Sequence, residues 1–229
     1  MENSTIKFNL GIALILGSVW GLSEIALGMG LKACAANMSG SVMTAVALFF
    51  LAAGWALTRR WFVPILIVLV ASMLKLFDAL ILGLPVLHGA IANPIFAFWI
   101  EAIAILLIIA VFSRSAFQSR RSRILLGGGA ALISAGMFPL VGFATSVPAC
   151  VVAGTTVPLS IAFAPVAILL SMITVPLGFF VSDRFHAGDG TMAIYFGRKR
   201  WSHLVSPATM VICMVLIFLI RILIPMHIS

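Results

Sequence analysis

The stretch FVPILIVLVASMLKLFDALILGL, running from Phe62 to Leu84, decides the fold class. It is 23 residues long and carries only Lys75 and Asp78 as charges. A helix of about 20 mainly apolar residues is enough to cross the hydrocarbon of a bilayer. Six more segments read the same way: Phe8–Leu31, Ser41–Leu57, Ala90–Phe112, Ile124–Ala144, Leu159–Val181 and Leu204–Pro225. Across all 229 residues, 63% are hydrophobic and 9% charged, with a mean hydropathy of +1.24. A water-soluble domain carries roughly 25% charged residues to keep its surface solvated. Fourteen basic and six acidic residues cannot cover such a surface here, so most of the solvent is lipid. The expectation is an all-α, polytopic transmembrane helix bundle. Residues 1–229 form a single integral membrane domain of about seven spans, with six as the alternative count.

Cation placement orients the bundle. Lys7, Arg59, Arg60, Arg114, Arg120, Arg121, Arg123, Arg184, Arg198, Lys199 and Arg200 all fall on one side of a seven-span chain. Only Lys32 falls in a loop on the other side. The positive-inside rule then puts the N-terminus in the cytoplasm, with basic cytoplasmic loops at 113–123 and 183–203 and the protein multi-pass in the cell inner (cytoplasmic) membrane. An even count through residue 225 destroys this segregation. Trp55, Trp61 and Trp201 read as anchors at the inner boundary, where indoles collect. Membrane lipid headgroups suffice to explain the cluster Arg198-Lys199-Arg200-Trp201, so the net charge of +8 does not call for nucleic acid. Thr145–Pro158 stays apolar yet carries Pro148, Gly154 and Pro158, and reads as a re-entrant loop or an extension of span six.

Several chemistries are absent from the sequence. Three cysteines without a C-x-x-C pair exclude a zinc ribbon or thioredoxin-type site. The four scattered histidines form no H-E-x-x-H, and there is no phosphate-binding P-loop. No cofactor is expected, and the metal content is open. Cys34 and Cys150 fall on the same outer side and are a candidate disulfide.

Four ionisable residues lie inside predicted hydrocarbon: Glu24, Lys75, Asp78 and Glu101. Each costs a few kcal/mol at the bilayer centre and must face the bundle interior, pair or become neutral. Gly17, Gly21, Glu24 and Gly28 form one helical stripe on which a neighbour can pack closely. With Ala13, the glycines form the expected helix-packing face. Lys75 and Asp78 are three apart and can bridge. Trp20 and Trp99 lie too deep for an interfacial belt, and His88 and Asn93 open span four above Glu101. Together Trp20, Glu24, Lys75, Asp78, His88, Asn93, Trp99 and Glu101 suggest a polar ligand-binding pocket among spans one, three and four, open to the outside. Three acids against one lysine favour a cation or amine, with the indoles offering cation–π contacts.

The run Gly17-Ser-Val-Trp20-Gly21-Leu-Ser-Glu24, then Lys75, then the polar start of span four followed by Glu101, resembles small bacterial membrane proteins similar to the substrate-binding S-components of energy-coupling factor (ECF) transporters. The resemblance covers spans one to four. It implies a substrate-capturing subunit without an ATPase of its own, working with a transmembrane T-component and ATPase subunits. It also implies that Ala13-x-x-x-Gly17 stands where the family's small partner-contact motif lies. Family members have six spans, so a seventh is a departure. The expected function is therefore capture of a small cationic solute or metal ion by an importer subunit, with no catalysis. The alternatives are a proton-coupled secondary transporter or ion pathway and, third, an intramembrane enzyme using the buried carboxylates.

Overall fold

The computed structural model describes residues 2–34, 38–112, 117–187 and 202–223. Among these, seven helices are long and apolar enough to cross a membrane. They are α1 (Glu2–Cys34), α2 (Ser39–Thr58), α3 (Phe62–Leu82), α4 (Gly89–Val111), α5 (Arg120–Met137), α6 (Ala164–Ala187) and α7 (Ser202–Leu223). A 3-10 turn at Phe138–Leu140 and a short helix at Val141–Thr145 prolong α5. One further turn, Leu159–Ala162, leads into α6. The chain is thus an all-α, multi-pass membrane bundle.

The helix ends follow from local chemistry. Gly83 takes a left-handed φ of 64° and closes α3, a geometry that costs glycine nothing. The His88 ring nitrogen accepts from the amide of Ala90 to start α4, and the Ser119 hydroxyl accepts from Ser122 to start α5. Helix α1 starts at Glu2, before the apolar segment, so its 33 residues span about 50 Å and overrun the hydrocarbon at its ends. Helix α6 runs on to Ala187, and α5 starts at Arg120. Both basic loops are therefore partly helical; 113–116 and 188–201 lie outside the described residues.

Helix α2 is the centre of the bundle and touches α1, α3, α4, α5 and α6. Its apolar window is 67% buried within the protein, against 17% for α7, which packs on the outside of α1 and α3. Six helices therefore form the body and the seventh is applied to its flank. Close approach depends on missing side chains. A Cβ on Gly17 would stand 2.7 Å from the Ile67 carbonyl oxygen of α3, and one on Gly178 would stand 2.7 Å from the Phe49 carbonyl oxygen of α2. The face of α6 bearing Ser171, Thr174 and Gly178 is therefore a packing surface, and the Thr174 hydroxyl donates to the Ala45 carbonyl at 2.7 Å.

Two sequence expectations change. After Thr145 the chain up to Pro158 is a loop, so of the two readings the extension of span six does not hold. Cys150–Leu159 folds back on itself, the Val152 amide donating to the Val157 carbonyl at 2.9 Å and the Leu159 amide to the Cys150 carbonyl at 2.9 Å. Pro148 and Pro158 forbid a continuous helix, and Gly154 supplies the turn with φ 75°. Trp55 is not an interfacial anchor. It is 2% exposed and packs edge-on against Phe117 and Phe179 at ring separations of 5.6 and 5.9 Å. Its helix is the central one, so its ring meets protein rather than lipid. Trp61, at 65% exposed, fits the anchoring position; Trp201 lies outside the described residues.

Candidate functional site: a buried ionic network

Helices α1, α3, α4 and α7 bring their intramembrane charges together. Glu24, Lys75, Asp78 and Glu101 are each 8% exposed or less. At one edge, the Arg221 guanidinium of α7 grips Asp78 at two points: Nε donates to Oδ1 at 2.6 Å and an Nη to Oδ2 at 2.7 Å. Lys75 Nζ stands 3.7 Å from the same Oδ2, one turn away on α3. Lys75 also attracts Glu24 of α1. Glu24 in turn repels Glu101 of α4, whose carboxylate accepts from the Thr44 hydroxyl of α2. The sequence Arg221–Asp78–Lys75–Glu24–Glu101–Thr44 therefore crosses five helices. Geometry of this kind is what a charge in low dielectric requires, since an isolated one costs far more than a paired one.

One turn from Glu24 towards the N-terminal end of α1 lies an aromatic pair. Trp20 precedes Glu24 by four residues and is fully buried. Its ring packs on Phe98 at 4.7 Å between centroids, tilted by 54°, and Phe98 precedes Glu101 by three. Ser72 precedes Lys75 by three. The indole Nε1 of Trp20 and the hydroxyls of Ser18 and Ser72 are buried without a hydrogen-bond partner. Buried polar atoms are satisfied in more than about 90% of cases; Trp20 and Ser72 each lie one turn from a member of the network, whereas Ser18, seven residues after the Gly11 that meets Ser206, lies on the α7 side of α1.

The eight residues expected to share a pocket separate into two groups. Trp20, Glu24, Lys75, Asp78 and Glu101 come together. His88 does not: it is an exposed cap, about 20 Å along the α4 axis from Glu101. Asn93 is half-buried two turns before Glu101, its Oδ1 unpartnered. Trp99 is half-buried and packs against the apolar core; two residues along a helix turn it about 200° from Glu101. Its neighbour Phe98 holds the inward position instead. Arg221 of α7 joins the network from outside the three helices expected to form the chamber. An open groove of about 480 Å³ lies at the opposite end, between α2 and α6. Arg221 carried a signal that the reading passed over: a cation inside an apolar span needs an acid. Thr44 carried none, since only the packing of α2 on α4 brings it to Glu101.

Ala13 is 1% exposed, and Gly17 and Gly21 face α3. The small-residue face is therefore consumed within the fold. Gly28 lies against Met43 of α2. Cys150 is exposed with a free thiol, and the Cys34 side chain lies outside the described residues. No cluster of three or more His, Cys, Asp or Glu residues suited to a metal occurs among the described residues. In comparison with known proteins, no family model, curated protein or solved structure matches this chain.

Proposed function

We propose that this protein captures a small cationic solute or ion within the bundle, between α1, α3 and α4, and performs no covalent chemistry on it. One observation carries the reading: the charge balance around Glu101. Three carboxylates meet two cations, and both cations contact Asp78. Lys75 also attracts Glu24, and Glu24 in turn acts on Glu101 by repulsion. Two carboxylates placed together in low dielectric do not both stay ionised unless a positive charge joins them. A bound cation, an amine or a proton supplies it, and the orphaned Trp20 and Ser72 atoms provide polar lining. Glu24 and Glu101 hold the charge, Lys75 sets the local balance, and Asp78 and Arg221 fix the helices that present them.

The arrangement of helices supports the importer-subunit reading. A body of six helices with α7 applied outside accounts for a seven-span chain that resembles six-span ECF S-components. A partner T-component would then meet a face other than Ala13 and Gly17. The second reading, proton-coupled secondary transport, is favoured by the Glu24–Glu101 juxtaposition, since a proton alone satisfies it.

The experiment uses the purified chain in liposomes, with radiolabelled methylammonium and sodium as probes. Retention of a probe that Glu101→Gln abolishes, without uptake by the chain alone, is the expected result for an importer subunit. Uptake by the chain alone, driven by a proton gradient, establishes the second reading instead. Glu24→Gln and Glu101→Gln variants that match the wild type in both assays overturn the assignment of the site.

A further inference from the structure

Two cations from different helices meet Asp78, and the geometry ranks them. Both carboxylate oxygens already accept from Arg221 of α7, Oδ1 from Nε at 2.6 Å and Oδ2 from an Nη at 2.7 Å. Lys75 Nζ stands 3.7 Å from Oδ2, an ion pair beyond hydrogen-bond length. A forked guanidinium on a carboxylate is the stronger arrangement, with two charge-assisted bonds against none. The Asp78 side chain is fully buried, so solvent screens the pair little. Arg221 is the one Asp, Glu, Lys or Arg residue in α7, the span least buried within the protein.

Lys75 has a second carboxylate within reach. Helices α1 and α3 run parallel, since a Cβ on Gly17 would meet Ile67 and Val70, and one on Gly21 would meet Ala71 and Leu74. One turn further along lie Glu24 on α1 and Lys75 and Asp78 on α3, and there Lys75 attracts Glu24. Both cations also interact elsewhere, so Lys75 is a divided charge and not the partner of Asp78 alone. Lys32 on α1 and His227 beyond α7 belong to the same end of the bundle, and their side chains lie outside the described residues. Among the described residues, Lys75 is the cation left beside Asp78 once Arg221 is removed. Its charge is then drawn towards Asp78, and the shortfall passes to Glu24.

We propose that Arg221 is a positioning residue of the cation site: by holding Asp78 it leaves Lys75 to act on Glu24, and so sets how strongly the carboxylates draw the charge of a solute. The inference rests on the cation-site reading for its consequence, but the allocation of Lys75 between the two acids can be measured without any solute.

The test is a double-mutant cycle of Glu24→Gln and Lys75→Met, read from unfolding midpoints of the purified protein in detergent and repeated in several backgrounds. Favourable coupling between Glu24 and Lys75 is expected in the wild type, falling about twofold or more in Arg221→Gln. Arg221→Lys keeps the charge and loses the fork; it gives an intermediate value and serves where Arg221→Gln does not fold. Asp78→Asn/Arg221→Gln removes the competing acid together with its partner and restores the coupling. Lys32→Gln, which removes a cation outside the pair, is the control and leaves the coupling as it was. Coupling as large in Arg221→Gln as in the wild type, or none in the wild type, overturns the proposal. Methylammonium retention in liposomes then reads the consequence. Arg221→Gln is expected to tighten it by about tenfold, the effect of removing one nearby unit charge at an effective dielectric of about 20, while the unfolding midpoint falls. Retention that falls together with the midpoint overturns the tuning role and makes Arg221 a clamp only. A wild type that retains no methylammonium, with the cycle as expected, supports the allocation of Lys75 and overturns the cation-site reading instead.

Discussion

Arg221 and Asp78, separated by 143 residues in sequence, form a two-point ion pair with 5% and 0% side-chain exposure. It fastens the outermost helix to the body at the level of the ionic network. Apart from this clamp, α7 is held to α1 and α3 by a small apolar cluster around Ile25, Leu74, Cys213 and Ile217. The pair therefore does two jobs, giving the Asp78 carboxylate a counter-charge within the bundle and tying α7 to α3.

Breaking one side of that pair leaves an uncompensated buried charge, which costs about 3–5 kcal/mol. Asp78→Asn and Arg221→Met are each expected to lower the thermal unfolding midpoint in detergent markedly. The double variant Asp78→Leu/Arg221→Met should recover most of the loss, because two apolar side chains remove the charge together with its partner. Additive losses in the double variant would mean that the two residues do not stabilise each other.

Glu101→Gln should behave in the opposite way. The amide keeps a hydrogen-bond acceptor for Thr44 and removes a carboxylate facing Glu24. Thermal stability is therefore expected to hold or rise by about 1 kcal/mol, while retention of methylammonium or sodium disappears. Equal loss of stability and of retention would make Glu101 a structural residue only.

Gly17 is expected to be intolerant of any side chain. A Cβ there would lie 2.7 Å from both the Ile67 carbonyl oxygen and Val70 Cβ, so α1 and α3 must part. Overpacking of this kind costs about 1–3 kcal/mol. Gly40→Ala, where no atom stands within 4 Å of the added carbon, is the neutral comparison. Unfolding midpoints of the two variants in the same detergent check the difference.

Thiol accessibility tests both burial and orientation. In a Cys34→Ser background, a membrane-impermeant maleimide should label the exposed Cys150 and leave Cys213, 3% exposed, unmodified until the protein is denatured. Labelling of Cys150 from outside intact cells agrees with an N-terminus inside, because the five spans between them put the two on opposite faces. Labelling only after lysis reverses the orientation.

The legible part of the site was its cost. Glu24, Lys75, Asp78 and Glu101 could be picked out because an ionisable group in a run of Leu, Ile and Val has no cheap local solution, and the four did come together. The illegible part was partnership. Lys75 and Asp78, three residues apart, do meet at 3.7 Å, yet the tighter partner of Asp78 comes from the other end of the chain. Trp99 and Phe98 show the same limit: one residue of rotation decides which ring lies beside Trp20, and helical rotation is fixed by neighbours.

Composition and span length alone settled that this chain is a multi-pass helical bundle, because a backbone in lipid must satisfy its own hydrogen bonds and a chain with so few charges cannot be solvated by water. Tertiary structure alone decided that α2 is central and α7 peripheral, that Trp55 lies in the core, and that Asp78 is gripped by Arg221 of the last helix. Those outcomes depend on which helix faces meet, and apolar helices with weak amphipathic character do not declare their faces. Close packing at positions such as Gly17 and Gly178 makes that choice.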